Sequence, residues 1–257
     1  MSIHSTAVVD SLAEIDSEVE IGPYVVIEGP VKIGRGTRVM AQAYLSGWTV
    51  IGEDNEIHPG ALLGGAPQDK AYQGQETYLT IGNHNVIREH AQVHRGTAAN
   101  SSTIIGNHNY LMATSHVGHN CRLGDNIVLA NGALLGGYVE VGNGVFISGN
   151  CVVHQFIRIG EHAIMRGLSG TSRDVPPFAI IDWQHTVRGV NVVGLKRAGF
   201  DDRRIRAIRD AFRVLFRKGR NLSMAIKEVE ENMRVNDDVM TLVEFIRSSK
   251  RGVCFGA

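Results

Sequence analysis

Broken every six positions, residues 105–165 read IGNHNY LMATSH VGHNCR LGDNIV LANGAL LGGYVE VGNGVF ISGNCV VHQFIR IGEHAI M. Every block opens on Ile, Leu, Val or Met. The same step run back to Ile3 gives an aliphatic residue at each position as far as Leu63, misses at Asp69 and Gln75, resumes at Ile81, Ile87 and Val93, and misses once more at Ala99. Of the 28 stepped positions 25 are aliphatic, where a background of roughly one in four would give about seven. A period of six suits neither an amphipathic helix, near 3.6, nor a long strand, at two. It suits a short strand and a bend, repeated so that one side chain per unit points inward.

Three such units close a triangular coil of 18 residues, and successive coils stack at the strand spacing of about 4.8 Å. Residues 3–168 then predict roughly nine coils and a prism about 40 Å long. Gly follows the inward aliphatic at Gly22, Gly34, Gly52, Gly82, Gly106, Gly124, Gly142 and Gly160, and is expected to serve the bends through positive φ. Small or aliphatic residues recur four places after it, as at Val25, Thr37, Ala61, Cys121 and Cys151. The pattern breaks at 66–79 and 98–103, two polar insertions, and ends after Arg173-Asp174-Val175-Pro176-Pro177, where the double proline is read as the exit from the coil.

From about residue 195 the periodicity is helical. Asp201 can cap a helix whose stripe is Ile205, Ile208, Phe212, Leu215 and Phe216, closed by Gly219, with further helices over 222–233 and 238–250. The domains are thus expected to be a β-helix over 1–190 and a small α-helical domain over 191–257.

Composition narrows the function. Lys plus Arg and Asp plus Glu are 26 each in 257 residues, so the balance favours no nucleic acid partner. It hides an asymmetry, since Lys196–Arg220 holds ten basic residues against Asp201, Asp202 and Asp210. No apolar run reaches the roughly 18 residues of a spanning helix, and MSIHSTAVVD lacks the basic and apolar regions of a signal peptide. Cys121, Cys151 and Cys254 lack zinc spacing, and Cys121 and Cys151 fall at the small inward step, so packing in a reduced, cytoplasmic protein is expected.

Adding 18 to His119 gives Gly137 and then Gln155; from Asn120 the same step gives Tyr138 and Phe156; His154 stands 18 after Gly136. These residues are expected at one outward corner, His119, Gly137 and Gln155 within about 10 Å along an edge. A histidine beside an exposed backbone N–H is the kit of acyl transfer, a general base plus an oxyanion donor. Idle surface histidines, and a zinc site of the kind trimeric β-helix carbonic anhydrases build, are the competing readings.

At these residues the chain resembles the acyl-carrier-protein-dependent UDP-N-acetylglucosamine O-acyltransferases that begin lipid A synthesis. The resemblance spans nearly the whole chain and rests on Ile21-Gly22-Pro23-Tyr24, Pro67-Gln68-Asp69, Ile87-Arg88-Glu89, Val93-His94-Arg95-Gly96-Thr97, Ser115 to His119, Val153-His154-Gln155-Phe156, Asp174 to Pro177, and Asn191 through Gly194-Leu195-Lys196-Arg197. It implies a left-handed coil, a homotrimer with clefts between neighbouring prisms, and no cofactor or metal, since the acyl chain arrives on the phosphopantetheine of acyl carrier protein. It implies His119 as general base and the Gly137 N–H as oxyanion donor. Contacts to the UDP-amino sugar or the acyl arm would come from Gln68, Asp69, Lys70, His116, Asn120, Tyr138, His154, Gln155, Asn191 and Arg197, with Gly167 on the acyl ruler. The chain departs from the family at Asn120, where Asp is usual, at Tyr138, where His is usual, and at Ala71, Val193 and Ala198. These departures bear on the acceptor and leave an ester or an amide product, a paralogue for another sugar nucleotide, and a catalytically silent trimer as alternatives.

Overall fold

The computed structural model describes residues 2–216, 221–233 and 236–256. Two-residue strands alternate with turns along most of the chain and fall into three sheets of 12, 9 and 8 strands. Until the last strands of the 12-stranded sheet, neighbours are three strands apart in sequence, and among the described residues all pairs are parallel except one terminal hairpin. The result is a left-handed parallel β-helix with hexapeptide repeats, followed by helices. The inward column is buried from Ile21 to Met165, with Leu45, Leu63, Leu111 and Ile147 fully so.

Glycine acts here by a different physics from the one expected. Gly106 does not have positive φ; a Cβ on it would lie 2.6 Å from the Gly124 carbonyl oxygen of the next coil. The step after the aliphatic residue is glycine because backbones touch there. The left-handed residue comes two places later and is mostly not glycine: Tyr24, Asp54, His84, Asn120, Tyr138 and Phe156 have φ between 52° and 64°. Stacking over-determines a conformation that a free chain disfavours.

The insertions leave the register of the 12-stranded sheet untouched, while the 9-stranded sheet takes a bulge between Leu63 and Gly65 where the first insertion departs. Glu56 pairs with Val86, Val86 with Tyr110 and Tyr110 with Val128. A buried asparagine ladder records the changing spacing. Asn85 N–H donates to Asn55 Oδ1 across 30 residues, Asn109 N–H to Asn85 Oδ1 across 24, and Ile127 N–H to Asn109 Oδ1 across 18. Both insertions are shorter than expected, because Tyr78–Ile81 and Ser102–Ile105 are strands that bury Leu79 and Thr103.

The coil also outlasts the double proline. Met165 pairs with Ile181, a spacing of 16 that the six-residue count cannot follow. It ends in the antiparallel hairpin of Ala179–Asp182 with Thr186–Val190. Helix α1 (Val192–Arg197) follows, capped by Asn191, then α2 (Asp202–Leu215), capped by Asp201, then α3 (Leu222–Met233) and α4 (Asp237–Arg247). Ile205, Ile208, Phe212 and Leu215 are buried as the stripe requires; Gly219, expected to close it, lies outside the described residues. Helix α4 stops at Arg247 rather than 250 because the next residues turn back to the prism. There Ser249 Oγ donates to Asp174 Oδ2 at 2.8 Å, and Arg158 donates to Ser248 Oγ at 3.1 Å. Phe255–Gly256 then pairs with the hairpin.

Asn85→Ala removes the acceptor of the buried Asn109 N–H and the donor to the part-buried Gly106 carbonyl. A buried polar group left unpaired costs about 1–3 kcal/mol, so urea unfolding should show a loss of at least about 1 kcal/mol.

Candidate active site

Six-residue steps bond the backbone N–H groups one, three and five places after each inward aliphatic to the neighbouring coil, and leave the second one facing out. At one corner the next coil caps it with a side chain. Glu53 N–H donates to Asn83 Oδ1, Asn83 to Asn107 Oδ1, Asn107 to Asp125 Oδ1 and Asp125 to Asn143 Oδ1, at 2.6–2.8 Å. His119, Gly137 and Gln155 hold that step at another corner. Glycine offers no cap to His119, and among the described residues no protein acceptor takes the Gly137 N–H. A backbone donor is free where an anion could use it.

The imidazole of His119 lies directly over Gly137: a Cβ there would be 2.5 Å from His119 Nε2 and Cε1. His119 Nδ1 is 3.0 Å from Asn120 Oδ1. That oxygen also accepts the Thr97 N–H at 3.0 Å, which fixes the amide's orientation. In the neutral ring Nδ1 therefore carries the proton, and Nε2 is the acceptor. Asp69 Oδ2 is 3.6 Å from Nε2. The sequence leaves the site's carboxylate in doubt at Asn120; the insertion loop supplies one on the other face of the ring.

That loop is clamped to the prism by the segment Val93–Thr97. His94 Nδ1–H donates to the Ala66 carbonyl at 2.8 Å, Arg95 donates to Gly64 O at 2.6 Å and to the Tyr72 hydroxyl at 2.7 Å, and Gln75 Nε2 donates to Thr97 O. A cleft of about 350 Å³ results, lined by Gln68, His94, His116, His119, Gly137, His154 and Gln155 among others. The His94 and His116 rings meet tilted at 50°, with centroids 5.1 Å apart. Burial, reinforced by His94 and His119, pushes His116 down to about 4, and burial also holds His94 below its ordinary value.

Gln68, Asp69, His116, Asn120, His154 and Gln155 thus gather around His119 and Gly137. Tyr138 meets the His119 ring edge to face at 5.4 Å but opens onto a neighbouring cavity. Lys70 is exposed and lines none of the cleft. Asn191 spends its amide on capping α1, accepting the Gly194 N–H and donating to His162 O, and Arg197 is exposed on that helix; within one chain neither joins the cluster. Gly167 is exposed with room for a side chain, its nearest neighbour being Gly149 O at 3.7 Å. His94 is the cleft residue that 18-residue counting misses, because the insertion makes the local spacing 24.

The model for domain 2 of UDP N-acetylglucosamine O-acyltransferase matches residues 174–254, and that for the bacterial transferase hexapeptide matches 30–65 and 102–137. The acyl-[acyl-carrier-protein]–UDP-N-acetylglucosamine O-acyltransferase of Halorhodospira halophila is 46% identical over 253 residues, and that of Thermodesulfovibrio yellowstonii 42% over 254, each alignment covering 98% of both chains. The solved LpxA of Bacteroides fragilis, a UDP-N-acetylglucosamine acyltransferase, superposes with a TM-score of 0.95 at 36% identity, covering 98% of this chain and 99% of the other. The Arabidopsis acyltransferase gives 0.89 at 32%, covering 98% and 99%.

His116 has consequences for pH. With a folded value near 4 against an ordinary 6.5, the folded state binds fewer protons than the unfolded one between these limits. Stability from the neutral ring is full above pH 6.5 and is lost as pH falls toward 4. His116→Gln should therefore flatten the fall in urea midpoint across that window.

Proposed function

The chain belongs to the acyl-[acyl-carrier-protein]–UDP-N-acetylglucosamine O-acyltransferase family. From that premise we propose that it transfers a 3-hydroxyacyl chain from acyl carrier protein to the 3-position of UDP-N-acetylglucosamine, the first step of lipid A biosynthesis, with His119 as general base. The observation that carries the assignment of roles is the contact of His119 Nε2 with a glycine whose N–H has no protein acceptor among the described residues. Nε2 takes the proton of the sugar's 3-hydroxyl as that oxygen attacks the thioester carbonyl. The Gly137 N–H receives the developing oxyanion. Collapse breaks the carbon–sulfur bond, and the imidazolium returns its proton to the departing thiolate. Asp69 and the Asn120 oxygen stabilise the imidazolium between these steps, the first by charge and the second by accepting Nδ1–H. The donor arrives as a thioester, so the balance needs no other cofactor.

A homotrimer suits the same reading. Leu62, Leu134 and Val152 stand in the outward column that contains His116, each more than 40% exposed. A second copy packed on that face would cover them, wall the cleft, and bring Asn191 and Arg197 of a neighbour toward the sugar nucleotide. Glycine at 167 leaves the far end of such a groove open for a long acyl chain. Among the described residues no helix is long and apolar enough to cross a membrane. The three cysteines are free and buried, which fits a reducing, cytoplasmic setting.

Acyl carrier protein, an acidic partner, is assigned to α2. Arg206, Arg209 and Arg213 line one cavity of about 490 Å³ with Lys196, where Asp202 and Asp210 pair with Lys196 and Arg213, and Arg188 joins Arg209 and Arg213 around a second of about 640 Å³. The excess of positive charge steers association more than it adds affinity.

Mass spectrometry of products from 3-hydroxyacyl carrier proteins and a panel of UDP-sugars tests the substrate, and an unmodified UDP-N-acetylglucosamine would overturn it. His119→Ala should lose about 10²–10⁴ in rate with its unfolding midpoint little changed; retained activity would remove the base. Arg206, Arg209 and Arg213 changed together to Glu should raise KM for acyl carrier protein at low salt, with the difference shrinking as salt is added.

A further inference from the structure

Four side chains at the catalytic corner form one stack, and its outer end belongs to the C-terminal segment of the chain. Tyr138 and Phe156 occupy the left-handed step one coil apart, with φ of 59° and 64°. Their rings stack at 4.8 Å and 16°. On the inner side, Tyr138 meets the His119 ring at 5.4 Å and 89°. On the outer side, the Arg251 guanidinium sits 5.5 Å over Phe156, and its Nη2 donates to Gln155 O at 3.3 Å.

Arg251 is not a free surface cation. Residues 248–254 are tied to the prism through Asp174, which is 1% exposed. Asp174 takes Ser249 Oγ and the Arg158 guanidinium on its carboxylate, while its backbone pairs with Gly252 O and Cys254 N. Beside the stack lies a cavity of about 490 Å³, lined by Asn120, Tyr138, Phe156 and Arg251. The rings therefore have room to slump on that side, where Arg251 lies over Phe156.

His119 needs such support. Its hydrogen bond to Asn120 fixes one point of the ring, and a neutral amide orients an imidazole less strongly than a carboxylate does. The face of Tyr138 fixes the plane. We propose that Arg251 is a positioning residue for the acyl transfer, holding Phe156 on Tyr138 and so Tyr138 against His119. This inference rests on His119 as the base.

A double-mutant cycle tests it. A cation over an exposed ring contributes about 0.5–1 kcal/mol, so Arg251→Ala should lower kcat roughly two- to fivefold, with KM for both substrates unchanged within about twofold. Arg251→Lys, which keeps a cation over Phe156, should restore most of the loss. In a Tyr138→Phe background, adding Arg251→Ala should cost the same factor as in wild type, since the ring and not the hydroxyl makes the contact. Adding Arg251→Ala to Tyr138→Ala should cost nothing further, because the path is already broken. An unchanged kcat in Arg251→Ala, an effect confined to KM, or additive losses would each overturn the positioning role. His119→Ala run alongside separates the two claims. If it is inactive while the cycle is additive, only Arg251 is removed; if it is active, the base falls and the inference with it.

Discussion

Each strand's hydrogen bonds to the strand three further along the chain are the constraint on which the rest of this molecule depends. They hold consecutive coils about 4.8 Å apart, so every side chain stands on the one a coil earlier. The stacked Ile, Leu and Val of the inward column follow from it, and so does the glycine at Gly106, where the next coil's carbonyl already fills the space of a Cβ. The same stacking keeps Tyr138 and Phe156 in a left-handed conformation and lets asparagine stand on asparagine in a dry interior, from Asn55 to Asn109. Local preference is overruled because the ladder is continuous.

The candidate site lies at a corner that lacks the side-chain caps of its neighbour. At one corner Asn83, Asn107, Asp125 and Asn143 close the outward N–H groups of the coil before; at another the matching positions are His119, Gly137 and Gln155, and among the described residues no protein acceptor takes the Gly137 N–H. Gly137 has no side chain to close the His119 N–H or to keep the imidazole off its backbone, and its own N–H stays available to an anion. The insertion loop turns that exposed corner into a cleft. Its clamp at Val93–Thr97 brings Asp69 to Nε2, while Thr97 orients Asn120 so that Nδ1 holds the proton. The loop and the coil thus hold one ring from opposite sides.

Much of this was legible in the residues. The stepped aliphatics identified the coil, the 18-residue spacing set Gly137 and Gln155 beside His119, and the stripe from Ile205 to Leu215 announced α2. The failures share a cause. His94 escaped because 24 residues, not 18, separate its coil from the next; the extra strand after Pro177 escaped because its spacing is 16. Asp69 could be named but not aimed, since nothing in a polar loop's composition says where it folds back. The turn after Arg247 is likewise invisible to helical periodicity, being set by Asp174 far away in sequence.

The sequence by itself determined the period, and with it which residues share a height on the prism and which face inward, because stacking at a fixed repeat converts spacing directly into position. Only the tertiary structure decided what crosses between columns: Asp69 to His119, Thr97 to Asn120, Arg251 to Phe156. Those contacts depend on the paths of the insertion and of the C-terminal segment, neither of which repeats, and a chain without a repeat carries no ruler for its own folding.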